Sequence, residues 1–278
     1  MGLEHLAEKW CNLSPENTVT IITDGDRLGF AMKIRDHIPN PCHIINLWYE
    51  QDLEEHLSNL SLSDLVIVLI SLHTFVDRGA NKVFSPFSKP EGLKAKYAFI
   101  RLDIPEQSFI QGLRTPKALV YEKIREVQKF CLGNKVRVTT DAGTDVTVEV
   151  GRTSTCRHEI IEDGGSAFLP PSEIFSDVTH GTANGRIVVD VTLGQLYHFG
   201  VLLGEYGIVD EPVVLDVIDG YVVSVAGGDM ATDLSKKLFH LPQNCRAVVE
   251  LGHGLSTMSP TGIIGVDESI LGTCHFGI

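Results

Sequence analysis

The 278-residue chain has no apolar run near the length of about 18 residues that a membrane-spanning helix needs. Its first ten residues, Met1 to Trp10, lack the basic segment and apolar core of a secretory leader, and Leu6 stands where a myristoylation signal carries Ser or Thr. Basic residues are in deficit: 23 Lys and Arg face 36 Asp and Glu, a formal net charge of -13. Nucleic-acid binding draws on clustered Lys and Arg to neutralise phosphates, so DNA and RNA are excluded as expected partners, as is the membrane. The six cysteines (Cys11, Cys42, Cys131, Cys156, Cys245 and Cys274) include no C-x-x-C pair. That speaks against a zinc knuckle or a disulfide framework and suits the reduced thiols of a cytoplasmic protein. G-x-G-x-x-G, Walker A and G-x-S-x-G sequences are all missing, which leaves no organic cofactor site and no Ser-His-Asp hydrolase to expect.

What is present is the composition of a globular protein, 43% hydrophobic and 21% charged, in a chain longer than the usual single domain of roughly 100–200 residues. Leu3, Leu6, Ala7 and Trp10 form the stripe of a short amphipathic helix that Ser14-Pro15-Glu16 ends. A β-branched run, Thr18 to Thr23, leads through Asp24-Gly25-Asp26 into a helix marked by Leu28, Ala31, Ile34 and Ile38. Further apolar runs follow at His43 to Leu47, Leu65 to Leu72 and Tyr97 to Leu102. Strands alternating with helices in this way predict βαβ units, and hence an α/β, doubly wound N-terminal domain. A helix over Thr115 to Leu132 closes it near Gly133.

After Gly133 the pattern changes to short β-rich runs separated by Gly and Asp: 135–140, 144–150, 186–191, 213–217 and 221–225. Asp219-Gly220 between the last two is a hairpin signal, because a two-residue turn needs φ > 0. One helix, 229–239, precedes a strand at Ala247 to Leu251. The expected organisation is therefore a doubly wound domain over 1–133 and a mainly antiparallel β domain with one or two helices over 134–278.

Candidate ligands gather late in the chain: Glu250 in Val249-Glu250-Leu251-Gly252-His253-Gly254, then Asp267-Glu268, then Thr273-Cys274-His275. Glu173 stands earlier, in Pro170-Pro171-Ser172-Glu173. Glu250 closes an apolar strand and is followed by glycines that admit a close approach. Carboxylates are rarely buried unless paired or bound to metal. Spacing alone leaves each residue a second reading: Glu250 and Glu268 as solvated acids, His253 and His275 as hydrogen-bonded core histidines. Cys274 and His275 are adjacent on a strand, so they point to opposite faces and form no thiolate–imidazole pair.

Glu250-Leu251-Gly252 with its following glycine, Asp267-Glu268 and Leu271-Gly272-Thr273-Cys274-His275 resemble the metal-ligand run of the aminopeptidase T and aminopeptidase S type family. Ala142-Gly143-Thr144-Asp145-Val146-Thr147, Gly151-Arg152, Leu169-Pro170-Pro171-Ser172-Glu173-Ile174-Phe175 and Thr182-Ala183-Asn184-Gly185 follow the family's blocks in order. The resemblance implies a homodimeric metallo-exopeptidase that releases N-terminal residues from peptides, with two divalent ions (Zn, Co, Mn or Mg) per site. It makes Glu173, Glu250 and His275 metal ligands and Glu268 the acid–base residue, with His253 and Asp267 as additional candidates. The family draws further ligands from a His-x-Asp segment beyond the position of His275; this sequence ends before it, which reads as a fragment or as a partial second metal site. Two other readings stand beside this one. One is a mononuclear iron, ring-cleaving dioxygenase like the 2,5-dihydroxypyridine enzymes, which share the fold and carry a histidine where this chain has Glu250. The other is a binding or assembly module that has lost its site.

Overall fold

The computed structural model describes residues 2–49, 53–85, 89–156 and 161–278. In chain order the strands are β1 Val19–Thr23, β2 Cys42–Asn46, β3 Leu65–Leu69, β4 Lys96–Ile100, β5 Lys135–Thr139, β6 Asp145–Glu149, β7 Thr155–Cys156 and β8 Ser166–Leu169. They continue with β9 Glu173–Asp177, β10 Asn184–Val189, β11 Thr192–His198, β12 Val201–Ile208, β13 Val213–Ile218, β14 Tyr221–Ala226, β15 Glu250–Gly254 and β16 Cys274–Gly277. The α-helices are α1 Leu28–His37, α2 Leu53–Ser58, α3 Leu72–Val76, α4 Glu106–Leu113, α5 Lys117–Phe130, α6 Asp229–Leu238 and α7 Ile264–Asp267. The N-terminal stripe forms one π-helical segment, Leu6–Trp10, with Leu6, Ala7 and Trp10 buried. Among the described residues no helix is long and apolar enough to cross a membrane.

The first compact unit takes the described residues up to Pro116 and those between 161 and Ser172. Its parallel sheet has the order β2-β1-β3-β4-β8. β1, β3 and β4 are buried along their whole length, the mark of a parallel sheet covered on both faces. At the carboxyl ends of β1 and β3, where the strand order reverses, Asp24 is fully buried. Its carboxylate accepts hydrogen bonds from Ser71 N and Oγ (2.7 and 2.8 Å) and from Arg27 N (2.9 Å), tying together the loops that follow the two strands. Burial works against the charged form, but these bonds outweigh it and hold the Asp24 carboxyl below its ordinary pKa.

The second unit takes Lys117–Cys156 and Glu173–Ile278. It has an antiparallel five-stranded sheet (β14-β13-β10-β6-β5), a four-stranded sheet (β16-β15-β9-β7) and the β11–β12 ribbon. Alternation sets its core: Val146 and Val148 of β6 are buried between exposed Asp145 and Glu149. Val213, Leu215 and Val217 of β13, Ala231, Leu234 and Leu238 of α6, and Leu251 of β15 join them. The β13–β14 hairpin turns at Asp219-Gly220, with φ of 49° and 83°.

The units do not divide at residue 133 as the sequence suggests. Helix α5 goes with the second unit, where Cys131 and Leu132 just beyond it pack on the core, and β8 returns to pair in parallel with β4. The last strand before the ligand run also starts later than Ala247. Gln243–Arg246 form a 3-10 turn, and the ladder with β9 and β16 runs from Glu250 to Gly254, carrying both glycines into the strand.

Candidate metal centre

The four-stranded sheet gathers the candidate ligands by register. In β15, Gly252 lies opposite both His275 of β16 and Phe175 of β9, while Gly254 lies opposite Glu173. Directly paired residues share a face and successive residues alternate, so Glu173, Glu250 and His275 project from one face. Leu251 points the other way, into the core.

On the ligand face His275 Nε2 is 2.9 Å from Glu173 Oε2 and 3.6 Å from Glu250 Oε1. The side chains of His275 and Glu173 are 14% and 12% exposed, against 33% for Glu250. Glu268 arrives from the end of α7, and Glu173, Glu268 and His275 offer ligand atoms that all lie within 4.8 Å of one another. The two ring nitrogens of His275 are buried, and neither makes a hydrogen bond of acceptable geometry despite the nearby oxygens. Burial opposes a charged ring, but the Glu173 and Glu250 carboxylates outweigh it and push the His275 pKa up to about 9. A shared cation would take the place of that ring proton among the converging lone pairs, and buried polar groups left without a well-formed hydrogen bond call for such an explanation. Carboxylates with one imidazole fit a hard or borderline divalent ion.

Asp267 and His253 are placed elsewhere. Asp267 is buried, and Thr261 N and Oγ1, Gly262 N and Thr192 Oγ1 donate to its carboxylate at 2.8, 2.6, 2.8 and 2.6 Å. These bonds fill the roughly four acceptor sites of a carboxylate, so Asp267 pins the loop before α7 to β11. His253 shares the face of Leu251, opposite Cys274 and away from Glu173 and His275. Its Nε2 is buried without a partner, and burial, with a smaller effect from His275, lowers its pKa and keeps it neutral.

The sequence matches the family model described as NicX: 2,5-dihydroxypyridine 5,6-dioxygenase, over residues 104–260. That span is more than half of the chain. The chain belongs to this family. The matched span contains Glu173, Glu250 and His253 and stops before Glu268 and His275. No curated protein matches the sequence. Among solved structures, 2,5-dihydroxypyridine dioxygenase from Pseudomonas putida KT2440 is similar at 14% identity and a TM-score of 0.60, over 97% of this chain and 82% of that one. AmpT, the aminopeptidase T of Thermus thermophilus, is similar at 14% identity and a TM-score of 0.54, over 99% of this chain and 84% of that one. At these identities the two structures show a common fold. They support the α/β architecture read from the sequence, while the family model that matches is that of the dioxygenase reading set beside the aminopeptidases.

Proposed function

We propose that the chain is a divalent-metal-dependent hydrolase of the aminopeptidase type, acting on the N-terminal residue of peptides. The donor set carries this reading: Glu173, Glu268 and His275 converge on one point, two carboxylates to a single imidazole. Those three residues would hold the ion, and Zn, Co, Mn or Mg suits them. A divalent ion supplies a Lewis acid and a water of near-neutral pKa there. Glu250 is more open than Glu173 beside His275, and we assign it the proton taken from the attacking water and returned to the leaving amine. Three carboxylates set against one divalent ion leave negative charge over, which favours the α-ammonium group of a peptide.

The test is hydrolysis of an aminoacyl amide by the full chain loaded with Zn(II) or Co(II). The expected result is turnover that a chelator abolishes and added metal restores. The family model favours a second reading, an iron-dependent ring-cleaving dioxygenase. An iron site of that class takes two histidines and a carboxylate, and the ligand face of the described residues carries His275 alone, with His253 turned away. Oxygen uptake with 2,5-dihydroxypyridine and Fe(II), together with no amide hydrolysis, would replace the first reading with the second.

A further inference from the structure

Glu173, Glu250 and His275 are each paired with a glycine in the four-stranded sheet, Gly254, Gly277 and Gly252 respectively. A Cβ built on Gly252 would overlap the imidazole of His275, with Nε2 and Cε1 the nearest atoms. One on Gly254 would overlap the carbonyl of Ile270, where the segment following Glu268 crosses β15 through an isolated bridge at Leu271. One on Gly277 would stand 2.9 Å from Cβ of Glu250. None of the three has a positive φ, so turn geometry does not explain them. Glycine inside a strand weakens it and marks a close approach instead. A metal-bound histidine is ordinarily oriented by a hydrogen bond from its second ring nitrogen, and His275 Nδ1 has no such partner. What orients this ring is its seat over the bare backbone of β15.

We infer that Gly252 is a positioning residue: its missing side chain is the seat that holds the His275 imidazole among Glu173, Glu250 and Glu268, while Gly254 lets the Glu268 segment close over the same face. The metal part of this inference rests on the proposed hydrolase reading; the seat itself does not. Gly252→Ala is the informative variant because its obstacle is the far end of a side chain that can swing away, whereas Gly254→Ala meets backbone and threatens the fold.

The experiment is a double-mutant cycle on the full chain with Gly252→Ala, His275→Ala and both together. Zn(II) affinity is read by calorimetry, the Co(II) absorption spectrum reports ligand geometry, and thermal unfolding is followed without metal. Gly252→Ala should weaken Zn(II) by about 10–100-fold, the range seen when a ligand's support is removed, and alter the Co(II) spectrum. In the His275→Ala background it should cost no further affinity. Without metal, Gly252→Ala should lower Tm in the wild-type background and leave it unchanged or raised once His275 is gone. Equal losses in both backgrounds, or wild-type affinity and spectrum in Gly252→Ala, would overturn the inference. If the wild-type chain binds no ion while the Tm cycle is still coupled, the seat stands and the metal reading falls. An uncoupled Tm cycle sinks the seat whatever the metal does.

Discussion

Three glutamates approach His275, and their surroundings separate their roles. Glu173 and Glu268 join the ring at a common point, whereas Glu250 stands outside that group, 3.6 Å from the Nε2 that Glu173 meets at 2.9 Å, and is more open to solvent than Glu173. Replacing Glu268 by Gln should therefore remove most of the metal affinity, and with it activity. Glu250→Gln should keep the ion and lose about 100-fold or more in kcat, the contribution of a positioned acid–base group. Metal content after dialysis, measured beside the rate, distinguishes the two; an ion lost from Glu250→Gln and kept in Glu268→Gln would reverse the assignment. The residue types of the site were legible in the sequence, since Glu173, Glu250, Glu268 and His275 all fall in recognisable runs. Spacing alone did not tell the neighbouring acids apart; the resemblance singled out Glu268 and kept Asp267 as an additional candidate. Asp267 and Glu268 are adjacent, and only the donors from Thr261, Gly262 and Thr192 show that the first is occupied in holding a loop.

At the scale of elements, short-range chemistry was the most legible. Asp219-Gly220 turns a hairpin as its φ requirement dictates, and α6, Asp229–Leu238, covers nearly the stretch 229–239 expected as a helix. Gly220 is doubly constrained, by a φ of 83° and by Gly181, whose backbone would lie 2.6 Å from an added Cβ. Gly220→Ala should destabilise the protein by roughly 1–3 kcal/mol, seen as a lower denaturant midpoint. An unchanged midpoint would mean that the turn relaxes at no cost. The frame of β15 was harder to read. Ala247-Val248-Val249 carries the β propensity, but register with β9 and β16 decides where the strand lies, and it places the strand on Glu250–Gly254, across two glycines that propensity alone would put in a loop. The close approach that these glycines admit was legible in the sequence; their place inside the strand, as the floor of the site, comes from tertiary pairing, which is absent from any local pattern.

At the scale of the whole chain, the change from βαβ alternation to short β runs was visible in composition, and both architectures are present. The path between them was not visible: β8 returns to the first unit's sheet after β5, β6 and β7 have been built into the second, and a parallel pairing with β4 at long sequence separation leaves no local mark. The family assignment and the donor set also pull apart at this scale. The matched span carries most strands of the second unit and two of the carboxylates, while β1 to β4 of the first unit lie outside it, as do Glu268 and His275, which complete the converging group. Shared fold does not carry shared chemistry, so the site decides. The most direct test is equilibrium dialysis of the metal-free full chain against Zn(II) or Co(II), with Glu173→Gln in parallel because Glu173 contacts both His275 and the converging point. The account predicts an ion retained by the wild-type chain and lost from the variant. A wild-type chain that retains none, or a variant that retains it equally well, would contradict it.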